Sequence, residues 1–179
     1  MRRRALLGAM GTSVIAGCLG DVFRFSRGEP RFSIENDPVP AGLPATLSAK
    51  LLSSETANRP PRVRVTFEYT GEEDGTVGFT YPGPFADTVA AGSGDSKLVL
   101  KYEATADDHH DDCWWATDTY GHGATEQRRF GSGDVADVEW EVLTHEESNT
   151  CYPPGSYRFS DRYRMNGNVY EWGFRLRIR

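Results

Sequence analysis

The chain has 179 residues, with 20 Lys and Arg against 26 Asp and Glu and a formal charge of −6. That length suits one domain with a sizeable core. The acidic balance argues against nucleic acid as a partner, because a phosphate backbone selects a basic face.

At the start, Arg2-Arg3-Arg4 precede a glycine-loosened apolar run from Ala5 to Gly17, and Cys18 follows. The run is too short to span a bilayer. Small residues before a cysteine fit a processing site: Ile15-Ala16-Gly17-Cys18 resembles a lipobox, and the whole stretch resembles a lipoprotein signal peptide. Arg3-Arg4-Ala5-Leu6-Leu7 also resembles a twin-arginine export signal. In both respects the stretch is similar to surface lipoproteins of halophilic archaea. The resemblance implies that residues 1–17 are removed, that Cys18 carries lipid, and that the domain sits at the outer face of the cell membrane. Residues 18–30 then serve as attachment and tether, and residues 31–179 as the domain. Loss of Arg2, Arg3 and Arg4 takes the charge from −6 to −9, since no acid lies among the first 17 residues.

The chain has three cysteines. With Cys18 consumed by lipid, Cys113 and Cys151 remain as a pair, and an exported protein favours a bridge between them over two buried thiols.

From Arg31 onward the apolar period is two, which reads as strand. Phe32 and Ile34 begin the series, and Leu47, Ala49 and Leu51 continue it. Val63, Val65, Phe67 and Tyr69 form the clearest strand, opened by Pro60-Pro61. Val77, Phe79 and Tyr81 follow the turn at Gly71–Gly75, and Pro82-Gly83-Pro84 stops them. Leu98, Leu100 and Tyr102 mark another strand. Ala104 to Gly133 is irregular, and order returns with Ala136, Val138, Trp140 and Val142. Tyr157, Phe159 and Tyr163 share one parity. Asn166-Gly167 signals a hairpin, leading to Tyr170, Trp172, Phe174, Leu176 and Ile178. Seven to nine short strands without a helix predict an all-β, antiparallel immunoglobulin-like β-sandwich, with a small closed barrel as competitor.

A strand with Val63-Val65-Phe67, a later one with Val138-Trp140-Val142, and the turn Pro154-Gly155-Ser156-Tyr157 together resemble a known domain family. It is that of the immunoglobulin-like domains grouped with intracellular proteinase inhibitors of the Bacillus (BsuPI) type. The resemblance implies the sandwich fold. Inhibition of exported proteases, through an ordered loop such as Gly121 to Gly133, stays open as a rival function.

Chemistry-bearing motifs are few. Asp107-Asp108-His109-His110-Asp111-Asp112 offers carboxylates and imidazoles to a cation, with His109, His110, Asp111 and Asp112 as candidate ligands. Neighbouring side chains on an extended chain point opposite ways, so a solvated acidic loop is favoured and no metal or other cofactor is expected. His145-Glu146-Glu147-Ser148-Asn149 has Asn149 where a zinc helix needs a second histidine. Cys151-Tyr152-Pro153-Pro154-Gly155 is followed by no histidine, so it does not make a blue-copper ligand loop. No catalytic residue is assigned; a metal-binding or enzymatic domain using His109, His110, His122 and the surrounding acids of the Asp107–Asp112 loop stays open as a second rival function. Trp114 and Trp115 point to opposite faces of a strand, so one is expected in the core and the other, beside Tyr120, is a candidate to stack a sugar or anchor a protein. Arg158, Arg162, Arg164, Arg175, Arg177 and Arg179 form a candidate basic face. The expected role is non-catalytic binding of a surface protein or glycan, or service as an accessory subunit, by a domain held to the membrane through Cys18.

Overall fold

Alternation between Phe32 and Ile178 resolves into strands packed as two sheets in a computed structural model, which describes residues 30–54, 59–86, 88–105, 108–117 and 124–179. Among the described residues twelve strands follow in order. They are β1 (Phe32–Asn36), β2 (Ala45–Ser53), β3 (Arg62–Tyr69), β4 (Gly75–Thr80), β5 (Thr88–Ala91) and β6 (Lys97–Lys101). Then come β7 (His109–His110), β8 (Cys113–Ala116), β9 (Thr125–Phe130), β10 (Val135–His145), β11 (Gly155–Met165) and β12 (Asn168–Ile178). The surplus over seven to nine lies in short pieces and in β9, whose residues are all exposed except Phe130. No helix among the described residues is long and apolar enough to cross a membrane.

One sheet runs β1-β12-β11-β4-β9 and the other β2-β3-β10-β6-β5, with β8 attached to β10 and β7 to β8. The orders β2-β3-β10-β6 and β12-β11-β4 are those of strands A-B-E-D and G-F-C in an immunoglobulin-type sandwich. All pairings are antiparallel except β8 with β10.

The predicted apolar parities meet between the sheets. Val63, Val65, Phe67, Trp140, Val142, Tyr157, Phe159, Tyr163, Phe174 and Leu176 are fully buried. Phe67 lies 5.2 Å from both Phe79 and Phe130 and stacks on Tyr163 at 6.0 Å, so the aromatic rings of β3, β4, β9 and β11 close one end of the core. Offset and edge contacts of this kind add roughly 0.5–1.5 kcal/mol each beyond area burial. Asn36 clasps the sheets across their edge: its Oδ1 accepts the Ala49 N–H at 2.8 Å and its Nδ2 donates to the Ala49 carbonyl at 3.3 Å.

Local turns follow their residues. Asn166 (φ 50°) and Gly167 (φ 76°) occupy the left-handed region and fix the β11–β12 register through Met165↔Asn168. The Pro-Gly-x-Tyr element places Tyr157 at the start of β11, fully buried, with its hydroxyl donating to the Pro153 carbonyl at 2.7 Å. That is a tyrosine corner at the strand E-to-F turn of an immunoglobulin-type sandwich. Gly173 faces Ser160 across the β11–β12 ladder, and a Cβ there would lie 2.1 Å from the Phe159 carbonyl oxygen. Only glycine lets the two longest neighbours stay paired at that point.

Cys113 and Cys151 are bonded, with Cα atoms 5.8 Å apart and a separation of 38 positions in sequence. The bridge ties β8 to the turn before β11 rather than joining the two sheets through their centre. Two members of the predicted parities leave the pattern. Tyr81 and Tyr102, read as the last apolar residues of their strands, lie just beyond β4 and β6 and are 53% and 57% exposed.

Candidate functional site

Asp111 (φ 53°) and Asp112 (φ 56°) form the two-residue turn of a β7–β8 hairpin, not an open loop. Short side chains that tolerate positive φ suit such a turn, so both carboxylates stand exposed at its tip. The histidines are engaged with the tryptophans. The His109 ring lies 4.7 Å from Trp114, and His110 stacks on Trp115 at 5.6 Å with 9° between planes. Trp115 Nε1 donates to the His110 carbonyl at 3.2 Å. His110 Nδ1 is 3.6 Å from one Asp111 oxygen, and among the described residues no three His, Cys, Asp or Glu side chains gather around a point that could hold a metal.

Trp114 and Trp115 do not divide into one core and one exposed residue. Both are half-buried and pack against the core edge. Asp108 turns back to its own strand neighbourhood, accepting from Lys101 Nζ at 2.7 and 2.6 Å and from the Thr105 N–H and hydroxyl. Burial alone would raise its carboxyl. The hydrogen bonds from Lys101 and Thr105, with the charge on Lys101, outweigh that and hold it below the ordinary value. The His145 stretch is a turn: buried His145 accepts the Glu147 N–H at Nδ1, 3.1 Å away, and the Ser148 hydroxyl bridges the Lys97 N–H and carbonyl. Of the segment Gly121 to Gly133, residues Thr125–Phe130 are strand β9 paired with β4. Cys18, Asp107, Tyr120 and His122 lie outside the described residues.

The predicted basic face is threaded with acids. Arg158 pairs with Asp37 at 2.9 Å and Glu171 at 3.2 Å, Arg175 with Asp37 at 3.1 Å, and Arg177 with Glu35. These pairs neutralise much of the surface of β11 and β12; Asp37 is largely covered, while the Arg158–Glu171 and Arg177–Glu35 pairs are exposed and each contributes little to stability.

A different feature is a pair of adjoining open hollows beside β10. Strand β10 spans Val135 to His145, yet its two flanks are filled unequally. Partner β3 covers Val135 to Glu141, whereas β6 covers only Glu141 to Thr144. Where β6 would continue, the chain departs through Tyr102 and Glu103. The result is a notch in the sheet beside Asp137, Val138 and Glu139, closed on its far side by Pro82 and Gly83 from the loop after β4. This hollow measures about 390 Å³, and a second of about 250 Å³ adjoins it along Arg62, Tyr102, Glu103, Ala104, Glu139 and Glu141.

Tyr102 stands between the two hollows, its ring edge-on to buried Trp140 at 6.0 Å. An aromatic side chain braced from below and open above is suited to contact. The carboxylates around it are partly tied: Glu139 accepts from Arg62 at 3.0 Å and from Arg64, and Glu141 accepts the Ala104 N–H. Hydrogen bonding to Glu139, then its charge, raises the Arg64 guanidinium still further.

The far wall is held by Asp161 on β11. Its carboxylate accepts the Thr80 hydroxyl at 3.2 Å and the Ala86 N–H at 2.9 Å, so it pins both ends of the loop carrying Pro82 and Gly83. Burial pushes the Asp161 carboxyl up, against the opposing pull of hydrogen bonds from Arg162, Ala86 and Thr80. Gly83 has φ +32°, and a Cβ there would sit 2.7 Å from Phe79 Cβ, so the wall approaches as closely as it does because the residue is glycine.

None of the residues picked from sequence as binding candidates lines this notch. The overrunning alternations ending in Tyr81 and Tyr102, and the Pro82-Gly83-Pro84 stop, were the only local traces of it. Compared with family models, curated proteins and solved structures, the chain matches none.

Proposed function

We propose that this chain is a lipid-anchored, non-catalytic binding module at the outer face of the cell membrane, and that the notch at Tyr102 is its docking surface. The observation that supports the docking surface is the exposed Tyr102 ring set between two adjoining hollows over a rigid sheet. A ring fixed on a core tryptophan loses little entropy on binding, which is how aromatic anchors gain affinity. The anchor at Cys18 rests on the resemblance of the first 18 residues to a lipoprotein signal. Confinement to a surface favours a domain that docks, and a single acyl chain holds a membrane reversibly unless a second contact helps it.

Two measurements test this reading. Intact-mass analysis of the chain from native membranes should show residues 1–17 removed and a lipid on Cys18; an unmodified Cys18 behind an intact leader would overturn the anchor. A photo-crosslinking residue at Tyr102 should form an adduct in those membranes, while the same residue at Val169, exposed on the opposite sheet, should not. Equal labelling at both positions would overturn the docking surface.

A further inference from the structure

We infer that the notch binds an extended, basic polypeptide segment, which adds to β10 as a new strand. This inference rests on the proposed reading of the notch and specifies its occupant.

The alternation of an antiparallel ladder decides where the backbone of β10 points. The Val142 N–H donates to the Pro61 carbonyl at 2.8 Å, and the Asp134 carbonyl accepts the Tyr69 N–H at 2.9 Å. Even-numbered residues of β10 therefore turn their backbone groups toward β3. Asp137 and Glu139 turn theirs the other way, into the notch, where no described strand pairs with them. An unfilled sheet edge of this kind is a template for strand addition.

Open edges also occur on the outer strands, but this one differs in having walls. Tyr102 and Glu103 bound it along the path of β6, and Pro82 and Gly83 bound it from the opposite sheet. An incoming strand thus has a defined lane at the ordinary interstrand distance of about 4.8 Å.

Charge selects the sequence of the visitor. Four carboxylates, on Glu103, Asp137, Glu139 and Glu141, line the two hollows; the guanidiniums beside them are Arg62 in the lining and Arg64, which pairs with Asp137 and Glu139, so the balance stays acidic by two charges. Glu103 has no ion-pair partner among the described residues. Among the described residues Asp137 pairs with Arg64 alone, at 3.5 Å. The side chains of Asp137 and Glu139 lie on the outer face of the sheet, so a strand placed beside them sets alternate side chains directly across from carboxylates. Lys or Arg at those positions gains a cross-strand pair. The intervening side chains face Val138 and the Tyr102 ring, which favours apolar residues.

The test uses the full chain and a short probe peptide alternating Lys and Val. Saturable binding is expected, with slowed hydrogen exchange at the Asp137 and Glu139 amides. Methylating alternate backbone nitrogens of the probe, on the edge that faces β10, should weaken binding roughly tenfold or more through lost ladder bonds. Exchanging its lysines for glutamates should abolish binding, and Glu103→Lys should weaken it at unchanged unfolding midpoint. No saturable binding, or unchanged exchange at both amides, overturns the inference. Binding indifferent to backbone methylation also overturns it, while leaving the Tyr102 surface as a docking site. A glycan as the crosslinked species at Tyr102 would likewise retain the proposed function and refute the strand-addition mode.

Discussion

Replacing both Cys113 and Cys151 with alanine isolates the effect of the covalent link. The bridge closes a loop across 38 positions of sequence, from β8 to the turn before β11. In the chain-entropy treatment, a loop of that length withdraws about 4 kcal/mol of freedom from the unfolded chain. Cys113 is buried, so truncating it also leaves a void of about one atom, adding about 1 kcal/mol. The expected loss is therefore about 4–5 kcal/mol, which for a domain of this size lowers the unfolding midpoint by about 10–15 °C. Urea unfolding followed by tryptophan fluorescence measures it, and the slope on urea should rise because the unlinked chain expands further. The competing outcome is local. Strand β8 is otherwise held by two paired positions on β10 and by its hairpin partner β7. A double variant within about 1 kcal/mol of the parent with unchanged slope, but with fast amide exchange confined to residues 108–117, would refute the reasoning. The bridge would then fasten a flap instead of restraining the whole unfolded chain.

Tyr157→Phe removes the hydroxyl of the tyrosine corner and leaves the Pro153 carbonyl without its donor; a loss of about 1–2 kcal/mol is expected in urea unfolding, and a loss below about 0.5 kcal/mol would refute a structural role for that bond. Asp108 and Asp161 should respond to pH in opposite senses. Asp108 is held below its ordinary value by Lys101 and Thr105, so its contribution is present above the unfolded-state value of 3.8 and disappears as pH falls through the folded value. Asp161 is raised by burial, so the folded chain keeps its proton after the unfolded chain has released it, and its contribution declines as pH climbs from 3.8 through the raised value. Unfolding free energies of the parent, Asp108→Asn and Asp161→Asn across acid pH should therefore converge for the first pair toward low pH. For the second pair the parent should lose ground as pH rises, and parallel curves in either case would contradict the assigned environments.

Local chemistry wrote much of this fold into the chain. The alternation of Val63, Val65, Phe67 and Tyr69, and of Trp172, Phe174, Leu176 and Ile178, marks buried strand faces because successive side chains must point to opposite sides. Asn166-Gly167 marks its hairpin because both residues accept positive φ. The pairing of Cys113 with Cys151 was expected only through the resemblance of the first 18 residues to a lipoprotein signal, which sets Cys18 aside and leaves two cysteines. Strand β9 was not legible, since an edge strand exposed on both faces carries no apolar alternation and takes its form from β4 alone. Asp111 and Asp112 looked like members of an acidic loop, whereas cross-strand contact of His109 with Trp114 makes them a tight turn.

The candidate site belongs to the second kind of information. Period two continues through Tyr102 in the sequence, but β6 stops pairing at Lys101, opposite Glu141, forty positions along the chain. Whether a strand's flank is filled depends on where two distant segments part company, and hydrogen bonds between such segments leave no mark on the residues nearby. The sequence by itself thus determined strand faces, turns and the all-β class, each a matter of neighbouring residues. Only the tertiary structure decided that, among the described residues, part of one flank of β10 is left unpaired and that Tyr102 stands over the gap, because that outcome is a property of pairing between strands and not of any one strand.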